Sequence, residues 1–155
     1  MCIRDRLEPT FEGDGRGMIH NANINFSPEW MAKLYNTADV HVVSSSGESF
    51  CLPTLEAMAS GTPVIMPNNT TGPELVKESG AGLLAECKLN VTVPIISDIS
   101  YVDPFDLAKQ IETIYKDEKL RMRCSRNGIK FAQKFKWDII IKKWVKLFDA
   151  IPYLS

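Results

Sequence analysis

The stretch Glu48-Ser-Phe-Cys-Leu-Pro-Thr-Leu-Glu56, followed by Ala-Met-Ala-Ser-Gly-Thr-Pro-Val-Ile, decides how this 155-residue chain folds. The apolar run 40–43 precedes it, is rich in β-branched residues and is short enough for a buried strand. The apolar run 63–66 follows it and predicts the next strand. A helix between the two runs would complete strand, loop, helix and strand, which is a βαβ unit.

The helix of this unit has clear signals at both ends. Pro53 suits its first turn, because the φ angle of proline is already fixed and the missing N–H is not needed there. We expect the helix over 54–60, ending at Gly61, a residue favoured just after a helix. Ligands of such units bind at the carboxyl end of the strand, where the loop meets the helix. Glu48 and the residues after it lie at that place.

The residue types of the stretch suit an anionic ligand that carries hydroxyl groups. The first turn of a helix leaves N–H groups unpaired, and together with the helix dipole these favour phosphate. Leu52, Thr54 and Leu55 can offer such donors. Glu56 lies about one turn further in, and its carboxylate can accept two hydrogen bonds from a ribose diol. Glu48 can hold hydroxyls attached beyond the phosphates. Alternatively, one glutamate only complements the helix N-terminus and the other is a solvated loop residue.

The sequence resembles the donor-binding domain of family 4 retaining glycosyltransferases of the GT-B fold. The residues that carry the resemblance are Leu34-Tyr-Asn-Thr-Ala-Asp-Val and Ser45-x-x-Glu48-Ser-Phe-x-Leu-Pro-x-Leu-Glu56-Ala-Met-Ala-x-Gly-x-Pro-Val-Ile. Two glutamates separated by seven residues are the signature of that family. The match covers about 31–82, with a weaker similarity as far as Trp137. The resemblance implies a Rossmann-like α/β domain, the C-terminal half of a GT-B fold, with a mainly parallel sheet and helices on both faces.

The resemblance also implies roles for individual residues. Glu48, as the catalytic residue of the set, would hold the transferred sugar, and Glu56 would hold the nucleotide ribose. The backbone after Glu48 and the helix N-terminus would hold the sugar and the diphosphate, through Ser49, Phe50, Cys51, Leu52 and Thr54. No metal is implied, and no Asp-x-Asp triplet is present to bind one. No further cofactor is implied, and the nucleoside diphosphate sugar is the donor substrate.

This sequence departs from the family pattern at three positions. Ser49 and Cys51 stand where glycine is frequent, and Ser44 stands where proline is frequent. Side chains at these positions could narrow the sugar pocket. We expect them to leave it usable.

A second loop, 68–74, follows the strand 63–66 and precedes a short predicted helix over 74–79. It should open at the same edge of the sheet, and its Thr71 and Gly72 form a second candidate contact, because glycine permits close backbone approach to a ligand. The alternative is an ordinary turn with a helix cap. The segment 86–102 has no clear interpretation from its pattern.

Three helices are predicted at the C-terminal end. The first begins at Asp103, which is a good cap; the second covers 119–134, interrupted or weakened at Gly128; and the third covers 137–150 with an apolar stripe. We expect residues 7–155 to be a partial, N-terminally truncated nucleotide-sugar-binding domain that includes the helices over 103–150. Residues 1–6 are expected to be a leader foreign to the fold.

Composition limits the other functions. An apolar fraction of 45% allows a sizeable core, no run approaches the ~20 apolar residues of a membrane span, and no apolar segment follows Arg4 and Arg6 as a secretory signal would require. Four scattered cysteines without metal-site spacing favour a reduced, cytoplasmic protein.

Charge is distributed unevenly along the chain. The segment 116–146 has eleven basic residues against three acidic ones, a balance of +8, so the remainder of this chain of net charge −1 carries −9. A basic helix that carries tryptophan can contact an anionic membrane surface, so the protein could be membrane-associated. A solvated face, or a face that docks on a missing N-terminal acceptor domain, is the other interpretation. Nucleic acid is not an expected partner, because no aromatic and basic readout motif is present.

The sequence therefore predicts a nucleotide-sugar-dependent glycosyltransferase fragment. In the family an Arg and a Lys that precede this segment help the leaving group, so we expect the chain alone to be inactive. One alternative is a catalytically inactive GT-B-like nucleotide-binding or interaction module. Another is a related enzyme, such as a sugar-nucleotide epimerase, for which no convincing acid/base set is present.

Overall fold

The computed structural model describes residues 26–93 and 97–151. The expected leader, 1–6, lies outside these ranges. The elements in chain order are α1 Pro28–Thr37, β1 His41–Val42, α2 Leu52–Ala59, β2 Val64–Pro67, α3 Gly72–Ser79, β3 Gly82–Ala85, β4 Cys87–Val93, β5 Ser97–Val102, α4 Pro104–Lys116, α5 Glu118–Ala132, a 3₁₀ turn Gln133–Phe135, and α6 Trp137–Asp149.

The strands β1, β2 and β3 form a parallel sheet in that order. His41 pairs with Val64, and Val64 in turn pairs with Gly82. Each crossover carries a helix, α2 between β1 and β2 and α3 between β2 and β3. The predicted βαβ unit is confirmed, with α2 beginning at Leu52, two residues before the predicted start.

The core lies on both faces of β2, whose four residues are all buried. Val64 and Met66 join one apolar cluster with residues of α2, α3 and α5. Ile65 points to the opposite face and joins a second cluster with Ile114 of α4 and Cys124 of α5. Because side chains alternate along a strand, this single short strand supports both layers. The expected arrangement of helices on both faces is confirmed.

Polar side chains cap the starts of α1 and α4, and the cap predicted at Asp103 is confirmed. Ser27 caps α1, its Oγ accepting a hydrogen bond from the Trp30 N–H at 3.2 Å. Asp103 caps α4, its Oδ1 accepting from the Phe105 N–H at 3.1 Å. Each cap is followed by proline, which suits a position where no N–H is needed.

The interruption that was one of the two alternatives predicted at Gly128 is absent, since α5 runs without a break from Glu118 to Ala132. Gly128 is buried, and a Cβ placed there would lie 3.2 Å from the Met58 carbonyl oxygen and 3.3 Å from its Cα. The glycine therefore lets α5 approach α2 closely. This packing compensates for the low helix propensity of glycine.

The segment without a clear interpretation, 86–102, contains the antiparallel pair β4 and β5, beyond the C-terminal end of β3. Its base is held by the Asp103 N–H, which donates to the Glu86 carbonyl at 2.7 Å, and by the ion pair of Lys88 with Asp103 at 2.7 Å. The pair thus projects from the edge of the sheet at which the predicted site lies.

The final helix, α6, has almost no cover. Every residue from 141 to 150 is exposed, including the stacked rings of Trp144 and Phe148. The apolar side chains lie along one side of the helix and Lys142 and Lys146 lie on the other. Within the described ranges, no helix is long and apolar enough to cross a membrane.

We predict that Gly82→Ala destabilises the sheet. A Cβ at Gly82 would overlap the Val64 carbonyl oxygen on the neighbouring strand. The free energy of unfolding should fall by about 1–3 kcal/mol, the usual cost of overpacking. Urea unfolding measures this change. Gly47→Ala is the matched control, because its Cβ would meet only the Thr70 methyl group, at 3.7 Å; equal destabilisation by both changes would contradict the prediction.

We also predict that stability falls as the pH decreases from 7 to 5. Burial lowers the pKa of His41, and its buried Nε2 has no hydrogen-bond partner among the residues that the structure describes. The unfolded chain therefore binds a proton at a higher pH than the folded chain, so the stabilisation is present above about pH 6.5 and lost below it. His41→Phe should flatten this pH dependence in urea unfolding, and a variant that keeps the full dependence would contradict the prediction.

Candidate functional site

The carboxyl ends of β1 and β2 bring the two predicted loops together at one edge of the sheet. The Glu48 N–H donates to Thr70 Oγ1 at 3.2 Å. Asn69 Nδ2 donates to the Ser46 carbonyl at 2.9 Å. The second loop is therefore in direct contact with the loop that carries Glu48, as its expected position at the same edge required.

The backbone at Cys51 sets the geometry of the helix N-terminus. Cys51 is the N-cap of α2 and lies in the left-handed region, with φ 64° and ψ 66°. Its carbonyl accepts from the N–H groups of Thr54 at 3.0 Å and Leu55 at 3.4 Å. Two of the three amides expected to face a ligand, those of Thr54 and Leu55, are therefore already used within the chain.

The free donors lie earlier in the chain. Among the described residues, no acceptor is present for four consecutive backbone N–H groups, those of Ser49, Phe50, Cys51 and Leu52. No side chain caps α2 either. Successive unpaired amides around a left-handed residue at a helix N-terminus favour an anion, because N–H dipoles and the helix dipole act in the same sense.

Glycine is frequent at position 51 in the family that the sequence resembles, and the left-handed backbone of Cys51 explains why glycine suits this position. Its side chain turns into the core, where it is buried and its Sγ lies 3.1 Å from Thr54 Oγ1. The thiol therefore does not narrow the pocket. Thr54, which we expected to contact the donor, is fully buried, with its hydroxyl and its amide both paired inside the chain. Thr54 therefore supports the start of α2 from inside the chain.

The Phe50 side chain also packs inward. Its ring lies 5.5 Å from that of Phe135, which in turn lies 5.3 Å from Phe131 of α5. This packing attaches the loop to the second helical layer and leaves the Phe50 amide as the group that can serve a ligand.

Glu56 is exposed on α2 and has one partner that the sequence did not suggest. The Tyr35 hydroxyl of α1 donates to Glu56 Oε2 at 3.1 Å. Desolvation, followed by the hydrogen bond to Glu56, raises the pKa of Tyr35 to about 12. The phenol therefore stays protonated at neutral pH and holds the carboxylate from one side. The two residues are 21 positions apart, so no local pattern indicates the pair.

A cleft of about 360 Å³ opens beside this pair, between α1 and α2. Its lining is mainly apolar, with the Glu56 carboxylate and two hydroxyl-bearing side chains as its polar groups. The lining residues are Phe26, Pro28, Met31, Ala32, Tyr35, Glu56, Ala59 and Ser60.

Gly72 and Thr71 of the second loop are packed within the chain, and their contact with a ligand stays a prediction. The Gly72 N–H donates to the Asn69 carbonyl at 2.9 Å, and a Cβ on Gly72 would overlap the Pro67 carbonyl oxygen. The glycine therefore permits the start of α3 to pack closely against the Pro67 backbone. Thr71 is buried, and its Oγ1 has no partner among the described residues.

The family described as "Glycosyl transferases group 1" matches residues 21–93. The D-inositol 3-phosphate glycosyltransferase of Corynebacterium jeikeium is 30% identical over 125 residues, which are 81% of this chain and 26% of that protein. The N,N'-diacetylbacillosaminyl-diphospho-undecaprenol alpha-1,3-N-acetylgalactosaminyltransferase of Campylobacter jejuni is 26% identical over 121 residues, 78% of this chain and 28% of that protein.

Among solved structures, the sucrose-phosphate synthase of Thermosynechococcus elongatus superposes with a TM-score of 0.65 and 30% identity. The superposition covers 78% of this chain and 27% of that structure. The chain thus spans about a quarter of the length of the relatives that it matches. It carries a glycosyl transferases group 1 domain over residues 21–93 and is homologous to the C-terminal part of GT-B fold glycosyltransferases.

Proposed function

We propose that this chain binds a nucleoside diphosphate sugar and forms the donor-binding part of a retaining glycosyltransferase. The observation that carries the proposal is the run of four amides, 49–52, that have no acceptor in the described part of the chain. They lie at the start of α2, with Glu48 before them and Glu56 after them. An anion-binding backbone between two carboxylates suits a ligand whose phosphates lie between two groups rich in hydroxyls.

The diphosphate is the leaving group of the proposed reaction. As the bond between the sugar and the β-phosphate breaks, negative charge increases on the phosphate oxygens. Fixed N–H groups at a helix N-terminus stabilise that charge without having to reorganise. The backbone amides of Ser49, Phe50, Cys51 and Leu52 would supply these donors, and no step of this scheme needs the side chains of those residues.

The nucleoside would lie against Glu56 and the cleft between α1 and α2. Glu56 accepts one hydrogen bond from Tyr35, and a carboxylate has the capacity to accept several more, so both ribose hydroxyls can donate to it. The apolar lining of the cleft, which includes Met31 and Ala59, offers a surface for the flat face of a base.

Glu48 would serve the sugar. It is half-buried and its N–H is held by Thr70. A carboxylate beside the sugar can hold its hydroxyls and favour the positive charge that develops on the ring as the leaving group departs.

The remaining parts of the reaction would come from a longer protein. The relatives are about four times the length of the matched region, and the exposed apolar side of α6 offers a surface for an acceptor-binding domain. We therefore infer that the chain alone does not transfer sugar. We also retain the proposal of a cytoplasmic protein, with contact of the basic C-terminal helices with an anionic membrane as the alternative use of α6.

We predict that the two glutamates discriminate between ligands. Glu56→Ala should weaken both a nucleoside diphosphate and its sugar conjugate, by roughly 1–3 kcal/mol, as for hydrogen bonds to charged groups. Glu48→Ala should weaken only the conjugate. Calorimetry against a panel of nucleoside diphosphates and their hexose conjugates measures both affinities.

The control for this pair is Glu78→Ala, on the exposed side of α3, which should change neither affinity. Thermal unfolding of each variant verifies that it folds. If both site variants fold and bind both ligands like the parent, Glu48 and Glu56 do not form the site and the donor-binding proposal fails.

We predict that the chain self-associates through α6. Trp144 and Phe148 are each about half exposed, and a contiguous exposed apolar surface of this kind marks an interaction surface. Replacing both with serine should shift sedimentation toward the monomer, whereas replacing Lys142 and Lys146 on the opposite side should not. A monomeric parent at high concentration that sediments with anionic lipid vesicles would instead support membrane contact.

A further inference from the structure

Thr70 adopts a backbone conformation that β-branched residues rarely tolerate. Its φ is 38°, in the left-handed region, where crowding of the branched side chain makes the conformation costly. Such strain persists only where the surroundings impose it, and it is concentrated at functional sites. Within the described residues, Thr70 and Cys51 are the two non-glycine residues with positive φ, and both lie at the edge of the sheet that carries the candidate site.

The Thr70 hydroxyl is part of a chain of hydrogen bonds between the two loops. Its Oγ1 accepts from the Glu48 N–H at 3.2 Å and donates to Asn69 Oδ1 at 3.4 Å. The other side of the same amide group, Asn69 Nδ2, donates to the Ser46 carbonyl at 2.9 Å. The loop before Glu48 is thus held at two points, residues 46 and 48, by two adjacent side chains of the second loop.

The same loop is also held from the β4–β5 pair. The Ser100 N–H of β5 donates to the Ser46 carbonyl at 3.0 Å, so that this carbonyl oxygen accepts two hydrogen bonds. Between the two anchored residues lies Gly47, whose position for a Cβ is 3.7 Å from the Thr70 methyl group. The backbone on the N-terminal side of Glu48 is therefore held both by the second loop and by the β4–β5 pair.

We infer that Thr70 is a positioning residue, which holds the Glu48 backbone so that the carboxylate meets the donor sugar; this inference rests on the proposed function. A glycine at position 70 would adopt the observed φ without strain, yet it would offer no acceptor for the Glu48 amide. The strained threonine therefore supplies what glycine cannot, a hydroxyl at this place. On this account the second loop acts through the sugar-binding loop, and does not need to touch the ligand.

Three substitutions separate the hydroxyl from the strain. Thr70→Val keeps the branched shape and removes the acceptor, Thr70→Ser keeps the hydroxyl, and Thr70→Gly relieves the strain and removes the hydroxyl. Affinities for a nucleoside diphosphate and for its hexose conjugate are measured by calorimetry. Exchange of the Glu48 amide proton with solvent is measured by NMR, without any ligand.

We expect Thr70→Val and Thr70→Gly to lower the affinity for the conjugate roughly 3- to 10-fold, as for the loss of one hydrogen bond, and to leave the affinity for the bare diphosphate unchanged. Both should accelerate exchange of the Glu48 amide. Thr70→Ser should bind and exchange like the parent. Thr70→Gly should also unfold at a higher temperature than Thr70→Val, because the strain is relieved; this variant carries the test if the valine variant does not fold.

Two results would overturn the inference while the proposed function stands. In the first, the parent binds both ligands, and the valine and glycine variants bind the conjugate as tightly as the parent does. In the second, the valine and glycine variants lose affinity for the bare diphosphate and for the conjugate to the same extent. Unchanged exchange of the Glu48 amide in both variants would overturn it without reference to any ligand. A folded parent that binds neither ligand would remove the proposed function, and the role of Thr70 in sugar binding with it.

Discussion

Complete burial of β2 determines where the ligand-facing groups of this chain can lie. All four residues of β2, Val64–Pro67, are buried between two layers of helices. Polar groups cannot be accommodated along such a strand without partners, so they are confined to its ends. The carboxyl end leads into the loop 68–71, beside the loop that follows β1. The site is therefore a consequence of the packing: two short polar loops meet at the edge where the apolar sheet ends.

The same edge holds the local strain of the described chain. Cys51 and Thr70 both take up left-handed backbone conformations, and each stabilises the loop with its side chain in a different way. The Cys51 thiol points into the core and meets Thr54, so the bend is compensated by packing. The Thr70 hydroxyl points across to the Glu48 amide. The first bend exposes the amides of the α2 N-terminus, and the second fixes the residue that precedes them.

The sequence was sufficient to predict the features that depend on neighbours in the chain. Apolar runs indicated β1 and β2, and Asp103 indicated the start of α4. The features that depend on distant residues were missed. Tyr35 meets Glu56 across 21 positions, and Thr70 meets Glu48 across 22. The interruption predicted at Gly128 failed for the same reason, because only the approach of α2 explains that glycine.

The free donors at the start of α2 differ from those expected from the sequence. The helix was expected to begin at Thr54, which would leave the Thr54 and Leu55 amides free in its first turn. It begins at Leu52 instead, so the carbonyl of the N-cap residue Cys51 accepts hydrogen bonds from both amides. The free donors are displaced to 49–52. Similarly, the pair β4 and β5 was not assigned from sequence, because Pro94 interrupts the β-branched runs of 86–102, although Cys87–Val93 does alternate between apolar and polar residues. The position of the pair depends on contacts such as that of Ser100 with Ser46.

The charges around the candidate site indicate how the proposed reaction would be divided between these loops and groups outside them. Between positions 44 and 72 the chain has no lysine or arginine, whereas it has the two acidic residues Glu48 and Glu56. A diphosphate held there would be stabilised by backbone amides and a helix dipole alone, and a dipole of this kind contributes only about 0.3–1 kcal/mol at an exposed position. Two nearby carboxylates oppose the same anion. Full stabilisation of a departing diphosphate therefore requires positive charge from outside these loops, which agrees with a chain that spans about a quarter of its relatives. In this arrangement the domain would select and orient the donor, and the reaction would proceed only when cationic groups close over the phosphates.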